Sequence, residues 1–412
     1  MKSFVVVLLA VLLPGLAAGQ GEIVAWGANS CGQCIVPVPN NGFVAVAGGL
    51  RHSLGLKFGG TIVAWGINNF GQCDVPEPNI DFTKVAAGSG HSLGLKFDGT
   101  IVAWGDNDSG ECDVPEPNAG FVAVAAGGLW YLEGGFGHSL GLRSDGTIVA
   151  WGANYNGQCN VPEPNTDFEK IAAGATHSLG LKSDGTIVAW GWNYQGQLDV
   201  PAPNADFEAI AAGAGHSLGL KSDGTIVAWG FNDWGQCDLP EPNTDFYKIA
   251  AGDLHNLGLR SDGTIVAWGY NGIGSCDVPE PNAHFVAVAA GGDHSLGVYD
   301  PTGVRIEEPW EPDPGQDHQR TPTVRVINYP NPFNPQTTIS FSLGRSEWAK
   351  IGVYDLGGRL LSVLADRTYD AGHHTIVWYG NDAMGRVLPS GSYVVRLETE
   401  SAVETQKVSL IR

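Results

Sequence analysis

Ser183-Asp184-Gly185-Thr186-Ile187-Val188-Ala189-Trp190-Gly191 sets an Asp-Gly pair between short apolar runs, the signature of a β-hairpin. Near-copies of Ile-Val-Ala-Trp-Gly occur seven times, with tryptophans at 26, 65, 104, 151, 190, 229 and 268. Five of the six steps are 39 residues; the third is 47, lengthened by an insert of eight near Leu129 to Phe136. A fixed period of this length means a repeat architecture, and every motif must be read within it.

One unit, Asp167 to Gly191, reads Asp-Phe-Glu-Lys-Ile-Ala-Ala-Gly, two variable residues, His-Ser-Leu-Gly-Leu-Lys, the Ser-Asp-Gly turn, then Thr-Ile-Val-Ala-Trp-Gly. A polar loop with Asn193, Gly196 and Gln197 follows, then Val-Pro-Ala-Pro-Asn at 200–204. This predicts three short strands per unit, with room for a fourth short piece before the prolines. Three or four strands cannot bury a face alone, so the units must stack. Seven such units suit a closed β-propeller, which protects sheet edges by radial repetition. Gly21 to Gly27 supplies the last strand of a unit with nothing before it, and His294 to Asp300 the preceding strand of a unit whose usual partner is degenerate. The expected closure therefore pairs Ile23–Trp26 with Ser295–Val298. The rival is a local hairpin that uses Val304 to Ile306 instead.

The chain of 412 residues contains 59 glycines and 43% hydrophobic residues, enough for a packed core. Its net charge is −21 and uneven: residues 20–300 carry 30 Asp+Glu against 10 Lys+Arg, whereas residues 301–412 carry 13 against 11. An acidic repeat region repels nucleic acid and anionic membranes, so no nucleic-acid partner is expected, and a basic partner or cations are favoured. Residues 1–19 read as a signal peptide: Lys2, the apolar run Phe4–Leu13, and Ala17-Ala18-Gly19 before the cut. That run is too short to span a bilayer and no other stretch could, so no membrane span remains after its removal. Six of the seven cysteines share one repeat position, where Leu198 takes the seventh place; the site wants an apolar filler. Equivalent positions on packed sheets lie about 10 Å apart, too far for a disulfide. Cys31 and Cys34 leave a local bridge open, while the lack of any surrounding βαβ pattern argues against redox catalysis.

Ile-Ala-Ala-Gly-x-x-His-Ser-Leu-Gly-Leu followed by Asp-Gly-x-Ile-Val-Ala-Trp-Gly-x-Asn-x-x-Gly-Gln resembles the regulator of chromosome condensation repeat family over residues 21–300. The 39-residue spacing and Gly-Gln-x-x-Val-Pro are closer to secreted bacterial propellers of the β-lactamase inhibitor protein II type. The resemblance implies a seven-bladed propeller acting through protein contacts. Nucleotide exchange and chromatin binding are not carried over to an exported, acidic chain without a basic tail. Residues 304–322 are a linker of Pro309, Pro312, Pro314 and Pro322 interleaved with acids. Beyond it, β-rich runs and turn signals over residues 323–412 suggest a β-sandwich. Tyr-Pro-Asn-Pro-Phe-Asn-Pro (329–335), Val-Tyr-Asp-Leu-Gly-Gly-Arg (353–359) and Ser-Gly-Ser-Tyr (390–393) resemble the C-terminal sorting domains of bacterial type IX secretion, of immunoglobulin-like, hook-capping form. That resemblance implies engagement of the outer-membrane secretion machinery through residues 323–412, and release or surface attachment.

Histidines 52, 91, 138, 177, 216, 255 and 294 recur once per unit. One identical residue in every unit suits a scaffold, its ring bonding backbone groups between blades, better than metal ligation or acid–base work at a singular site. The tryptophans are packing anchors, and the Asn of Trp-Gly-x-Asn supports a left-handed turn or caps the loop. Function is expected where copies differ. Trp-Gly-x-Asn-x-x-Gly has twenty-one variable sites, and seven are aromatic: Phe70, Tyr155, Trp192, Tyr194, Phe231, Trp234 and Tyr270. A third far exceeds the 9% aromatic content of the chain, and a ring would bring them to one end. Exposed rim aromatics suit binding; the competing reading packs them between loops. The insert, with Trp130 and Tyr131, joins a different connection, which allows it to lie on the opposite face. Asp106 to Glu111 resembles part of a calcium loop, although Asn107 and Gly110 already belong to the repeat. The chain shows no nucleophile elbow, no His-Glu-x-x-His and no phosphate loop.

The sequence thus describes an all-β protein: a seven-bladed propeller over 20–303, the linker, and an immunoglobulin-like sandwich over 323–412. It is exported to the medium or cell surface, uses no cofactor, and binds a protein or carbohydrate without catalysis. The alternative is a propeller glycosidase or lyase, whose paired carboxylates would stand about 5–10 Å apart in a cleft.

Overall fold

The computed structural model describes residues 21–131, 134–300, 325–329, 336–343, 345–370, 372–400 and 402–411. The signal segment, the linker and residues 330–335 of the Asn-Pro motif lie outside them. The repeats form seven three-stranded antiparallel sheets. Blade 1 comprises Phe43–Gly48, His52–Lys57 and Ile62–Gly66, and blade 2 Phe82–Ala87, His91–Lys96 and Ile101–Gly105. Blade 3 comprises Phe121–Tyr131, Gly134–Arg143 and Ile148–Gly152, and blade 4 Phe168–Ala173, His177–Lys182 and Ile187–Gly191. Blade 5 comprises Phe207–Ala212, His216–Lys221 and Ile226–Gly230, and blade 6 Phe246–Ala251, His255–Arg260 and Ile265–Gly269. Blade 7 joins Phe285–Ala290 and His294–Tyr299 to the N-terminal Glu22–Gly27. The register of that last pair, Ile23 opposite Val298 and Trp26 opposite Ser295, is the expected ring closure.

Core packing runs between blades. Leu140, Leu142 and Ile148 of blade 3 cluster with Phe168 and Trp190 of blade 4. At the closure, Leu257, Leu259 and Ile265 of blade 6 receive Phe285 and Trp26 in the same way, and Ile23 and Leu296 of blade 7 receive Phe43 and Trp65 of blade 1. No blade owns a complete core, so the sheets are stable only as a ring.

Polar bonds reinforce this ring. In each blade the tryptophan Nε1–H donates to a main-chain carbonyl in the preceding loop, as Trp190 does to Gln158 at 2.9 Å. The Ser178 hydroxyl donates to the same oxygen. Histidine then links successive blades: His52 Nε2 meets Ser92, His91 meets Ser139, His138 meets Ser178 and His177 meets Ser217, at 2.9–3.0 Å. His216 meets Asn256, His255 meets Ser295, and His294 meets Ser53, so the circuit closes. The exception fixes the proton. Asn256 Nδ2 donates to the Gln236 carbonyl, leaving Oδ1, which can only accept, 2.7 Å from His216 Nε2. The rings therefore carry hydrogen on Nε2. The histidines are scaffold as expected, but they bond side chains of the next blade rather than backbone. A Cβ at Gly174 would overlap the His177 ring, which is why glycine stands there.

One smaller expectation is corrected, and for another the structure selects one of the two alternatives. The fourth piece of each unit is not a strand: Asn204 Oδ1 accepts from Ile187 N–H and its Nδ2 donates to the Ile187 carbonyl, so one side chain occupies the outer sheet edge. The Asn of Trp-Gly-x-Asn caps its loop, Asn193 Oδ1 accepting from Leu198 N–H, while the left-handed residue is Gly196. The cysteines are free, Cys31 and Cys34 included; Cys34 Sγ bonds the Ala28 carbonyl, and burial pushes its thiol up to about 11.

Beyond the repeats, a three-stranded sheet of Arg325–Tyr329, Thr337–Leu343 and Gly372–Trp378 and a four-stranded sheet of Leu360–Tyr369, Glu347–Tyr354, Gly391–Thr399 and Val403–Leu410 share one core. Alternate residues Ile339, Phe341 and Leu343 face Ile351, Val353, Val395 and Leu397, the inward–outward alternation of a sandwich. Tyr393 Oη donates to the Pro389 carbonyl at 2.7 Å, as the corner tyrosine of immunoglobulin-like sandwiches does.

If the N-terminal strand completes blade 7, Trp26→Ala must cost as much as an internal tryptophan. Urea unfolding should show a loss of about 3–5 kcal/mol for Trp26→Ala and for Trp190→Ala alike. A Trp26 variant as stable as the parent would rule the closure out.

Candidate functional site

The site is built at one end of the ring. The inner strands come first in each blade, and their ends line the central space. The turn from inner to middle strand and the loop after the outer strand emerge together, because main-chain bonds tie them. Ile67 N–H donates to the Arg51 carbonyl, Trp192 to Thr176, Phe231 to Gly215 and Tyr270 to Leu254. The two connections that differ most between copies therefore share a face.

This overturns placement of the insert on the opposite face. The insert extends the first two strands of blade 3 into a longer hairpin, with Leu129 opposite Phe136 and Tyr131 opposite Gly134. Ala153 N–H donates to the Gly137 carbonyl at the hairpin base, and the Phe136 ring meets Tyr155 edge-on at 5.3 Å. The side chains of Trp130 and Tyr131 lie outside the described residues.

The loop aromatics divide. Tyr155 and Tyr194 are 75% and 83% exposed and Trp234 52%, whereas Phe70 and Trp192 are exposed by little more than a third. Phe231 and Tyr270 are half-buried. Trp192 stacks on Tyr194 within one loop at 5.9 Å, and Trp234 meets Tyr270 of the next loop edge-on at 5.0 Å. Both readings of these residues thus describe part of the set: rings pack on one another and still present area to solvent. Phe70 borders a small pocket with Arg51, Ile67, Ser89 and Asp106.

The two variable residues before each histidine went unused in the sequence reading, and they shape the middle of this face. They include Leu50, Arg51, Ser89, Asp253 and Asp293. Inner turns are joined around the ring, Leu50 N–H donating to Gly88 O, Ala175 to Gly213 O, Asp253 to Gly292 O and Gly292 to Gly49 O. They narrow the axis to a mouth of about 70 Å³.

Asp106 to Glu111 folds as the other loops do, with Asn107 capping Cys112 N–H. Among the described residues no three His, Cys, Asp or Glu side chains form a group that could hold a metal. Glu111 replaces the glutamine that five loops use to accept a main-chain N–H; its Oε2 takes Ser109 N–H at 2.8 Å. It is 1% exposed, and burial together with nearby Asp106 pushes its carboxyl up to about 7. The histidines move the other way: burial lowers His177 to about 3 and His138 to about 4.

These shifts have opposite consequences. The unfolded chain binds more protons at the histidines below pH about 6.5, so their contribution weakens as pH falls toward 4. Folded Glu111 holds a proton that the unfolded chain has lost, so its contribution weakens as pH rises from about 4.5 through 7. Glu111→Gln should raise the melting temperature by a few degrees at pH 8 and leave it nearly unchanged at pH 5. Equal melting curves at pH 8 would contradict the buried, protonated carboxyl.

Comparison with known proteins agrees with this architecture. The regulator of chromosome condensation (RCC1) repeat model matches residues 43–72, 82–111, 132–158, 168–197, 207–236 and 246–274. The seventh blade, assembled from both ends of the propeller, is not among these matches. Residues 328–411 match the secretion system C-terminal sorting domain. No curated protein matches the chain in sequence. Among solved structures, Prp20p of Saccharomyces cerevisiae, described with its binding to Gsp1p and histones, is 19% identical with a TM-score of 0.57, covering 70% of this chain and 94% of its own. Human WBSCR16 is 17% identical with a TM-score of 0.54, covering 68% and 99%. At these identities the likeness is one of fold. The likeness to the β-lactamase inhibitor type rests on spacing and Gly-Gln-x-x-Val-Pro alone. Residues 43–274 therefore carry six regulator of chromosome condensation repeats, and residues 328–411 a secretion system C-terminal sorting domain.

Proposed function

We propose that the protein is a non-enzymatic binding propeller, delivered to the medium or cell surface by its type IX sorting domain, that grips a protein or glycan on the face bearing the aromatic loops. The sorting domain carries the delivery half of this reading, together with the signal-like residues 1–19. The binding half is carried by one observation: copy-specific aromatics and the copy-specific hairpin converge on a single face and touch there through Phe136 and Tyr155. Rings pre-packed against one another lose little freedom on binding and offer large amphipathic area, the character of an interaction hot spot.

On that face Asp106 and Glu111 are buried, and each accepts a main-chain N–H of its own loop through one oxygen. Among the described residues no helix is long and apolar enough to cross a membrane. Prp20p, of similar fold, is described with its binding to Gsp1p and histones, which is consistent with a protein partner here. Trp130 and Tyr131, proposed from the sequence to take part, belong to the strand Phe121–Tyr131 of that hairpin.

The test replaces Trp192 and Trp234 together by alanine in the full mature chain. Capture of partner from the native surroundings should fall at least tenfold while the melting temperature stays within a few degrees. Undiminished capture by a folded double variant would discard this face as the binding surface.

A further inference from the structure

We propose that the partner is a protein that lays arginine side chains on the aromatic loops of blades 4 and 5, with guanidinium planes on Tyr194 and Trp234 and their N–H groups on aspartates of the same loops. The inference rests on the reading of this face as the binding surface and names the chemistry of what binds there. Three loops form one continuous surface. Gln195 of blade 4 and Phe231 of blade 5 both approach the open side of Gly215, and Trp234 of blade 5 meets Tyr270 of blade 6. Trp192 stacks on one face of Tyr194 with the rings 13° from parallel, and the 83% exposure of Tyr194 leaves its other face to solvent. Trp234 meets Tyr270 edge-on and is itself 52% exposed.

Each of these rings has carboxylates in its own loop. In blade 4, Asn193 Nδ2 donates to Asp199 Oδ1 at 2.9 Å, and Asp199 Oδ2 lies over Gly196, whose open side has no other atom within 4 Å. Blade 5 repeats this with Asn232, Asp238 and Gly235, and adds Asp233 next to Trp234. Asp199, Asp233 and Asp238 are all exposed. The lysines and arginines of the chain stand elsewhere. Of the ten in residues 20–300, six lie over the phenylalanines that start the inner strands, at the opposite end of the ring. Lys84, Lys170 and Lys248 stand two residues into those same strands. The tenth, Arg51, lies in the blade 1 turn and interacts with Asp293. Open rings flanked by carboxylates are complementary to a cation that is also flat. Guanidinium is planar, stacks on aromatic faces and keeps five N–H donors in its plane for carboxylates at the ring edge. A compact ammonium gives up the stacking. A neutral glycan suits the rings but leaves the carboxylates desolvated without a positive partner.

The test selects random twelve-residue peptides, displayed on phage, against the full mature chain. Peptides enriched on the parent should carry two arginines at a fixed spacing. Replacing both by citrulline, which keeps the shape and removes the charge, should weaken binding roughly tenfold or more. Replacing both by lysine, which keeps the charge and loses the plane, should weaken it about threefold. A companion variant combines Asp199→Asn with Asp238→Asn. Blade 3 already has Asn160 at this position, accepting from Asn154 Nδ2 at 2.8 Å, so the variant keeps the loop bond. It should bind the arginine peptides roughly tenfold more weakly and no longer distinguish them from their citrulline forms. If peptides bind the parent and are lost in the Trp192/Trp234 double variant, yet are indifferent to citrulline and to the two asparagines, the arginine inference is overturned and the face remains the binding surface. A library that yields no arginine peptide enriched on the parent over that double variant overturns it as well. If the enriched peptides ignore the two tryptophans, both readings fall.

Discussion

A single main-chain oxygen per blade holds this propeller together. The Gln158 carbonyl accepts from the Trp190 indole and the Ser178 hydroxyl at once, and that hydroxyl takes the Nε2–H of His138 in the preceding blade. Both donors to the carbonyl are buried, so loss of any member strands the others. The chain of direction runs histidine to serine to carbonyl, and it sets an imidazole hydrogen on Nε2. Burial is the main cause of the lowered affinity of the junction histidines for protons, which keeps them neutral. Because the circuit returns from His294 to Ser53, the ends of the repeat region are locked by the same bond that joins every other pair.

A frame so uniform leaves function to its irregularities. Six basic residues are already committed at the end away from the aromatic loops, where Lys57 lies over Phe43 and Lys182 over Phe168, as do their equivalents. At the other end, each blade offers two residues before the histidine and three in the loop after the tryptophan, none needed for closure. There the chain places its exposed rings, its longer hairpin and the Asp253 carboxyl. A rigid ring holds them in register, so surface chemistry varies without disturbing the core.

Much of this was legible in the sequence because it is periodic. The 39-residue step gave the blade number, the orphan strand at Ile23–Trp26 gave the closure, and the excess of aromatics after Trp-Gly gave the decorated rim. What was hidden depends on how strands reverse. The inner turn and the outer loop are some fifteen residues apart in sequence, yet meet because an inner-to-outer sheet brings its first and third strand back to the same end; the insert was therefore set on the wrong side. The stretch before the prolines, read as room for a fourth piece, is a turn, and the side-chain amide of Asn204 takes the sheet edge instead. The turn residues before each histidine went unnoticed since each is unremarkable in its own copy, and only the ring brings them around one mouth. Glu111 looked like part of a calcium loop because a glutamate in place of glutamine reads as added charge, whereas burial there favours the proton.

The most direct measurement is a display-based scan of every position from 21 to 300, read out as resistance of the folded chain to protease. The account predicts that costly positions recur with the repeat, at the histidine, the serine (Asn256 in blade 6), the tryptophan and the edge asparagine of all seven blades, the Trp26 strand included. It predicts tolerance at 155, 192, 194, 234 and 253. Aromatic loop positions as costly as the repeated tryptophans, or a tolerant N-terminal strand, would contradict it.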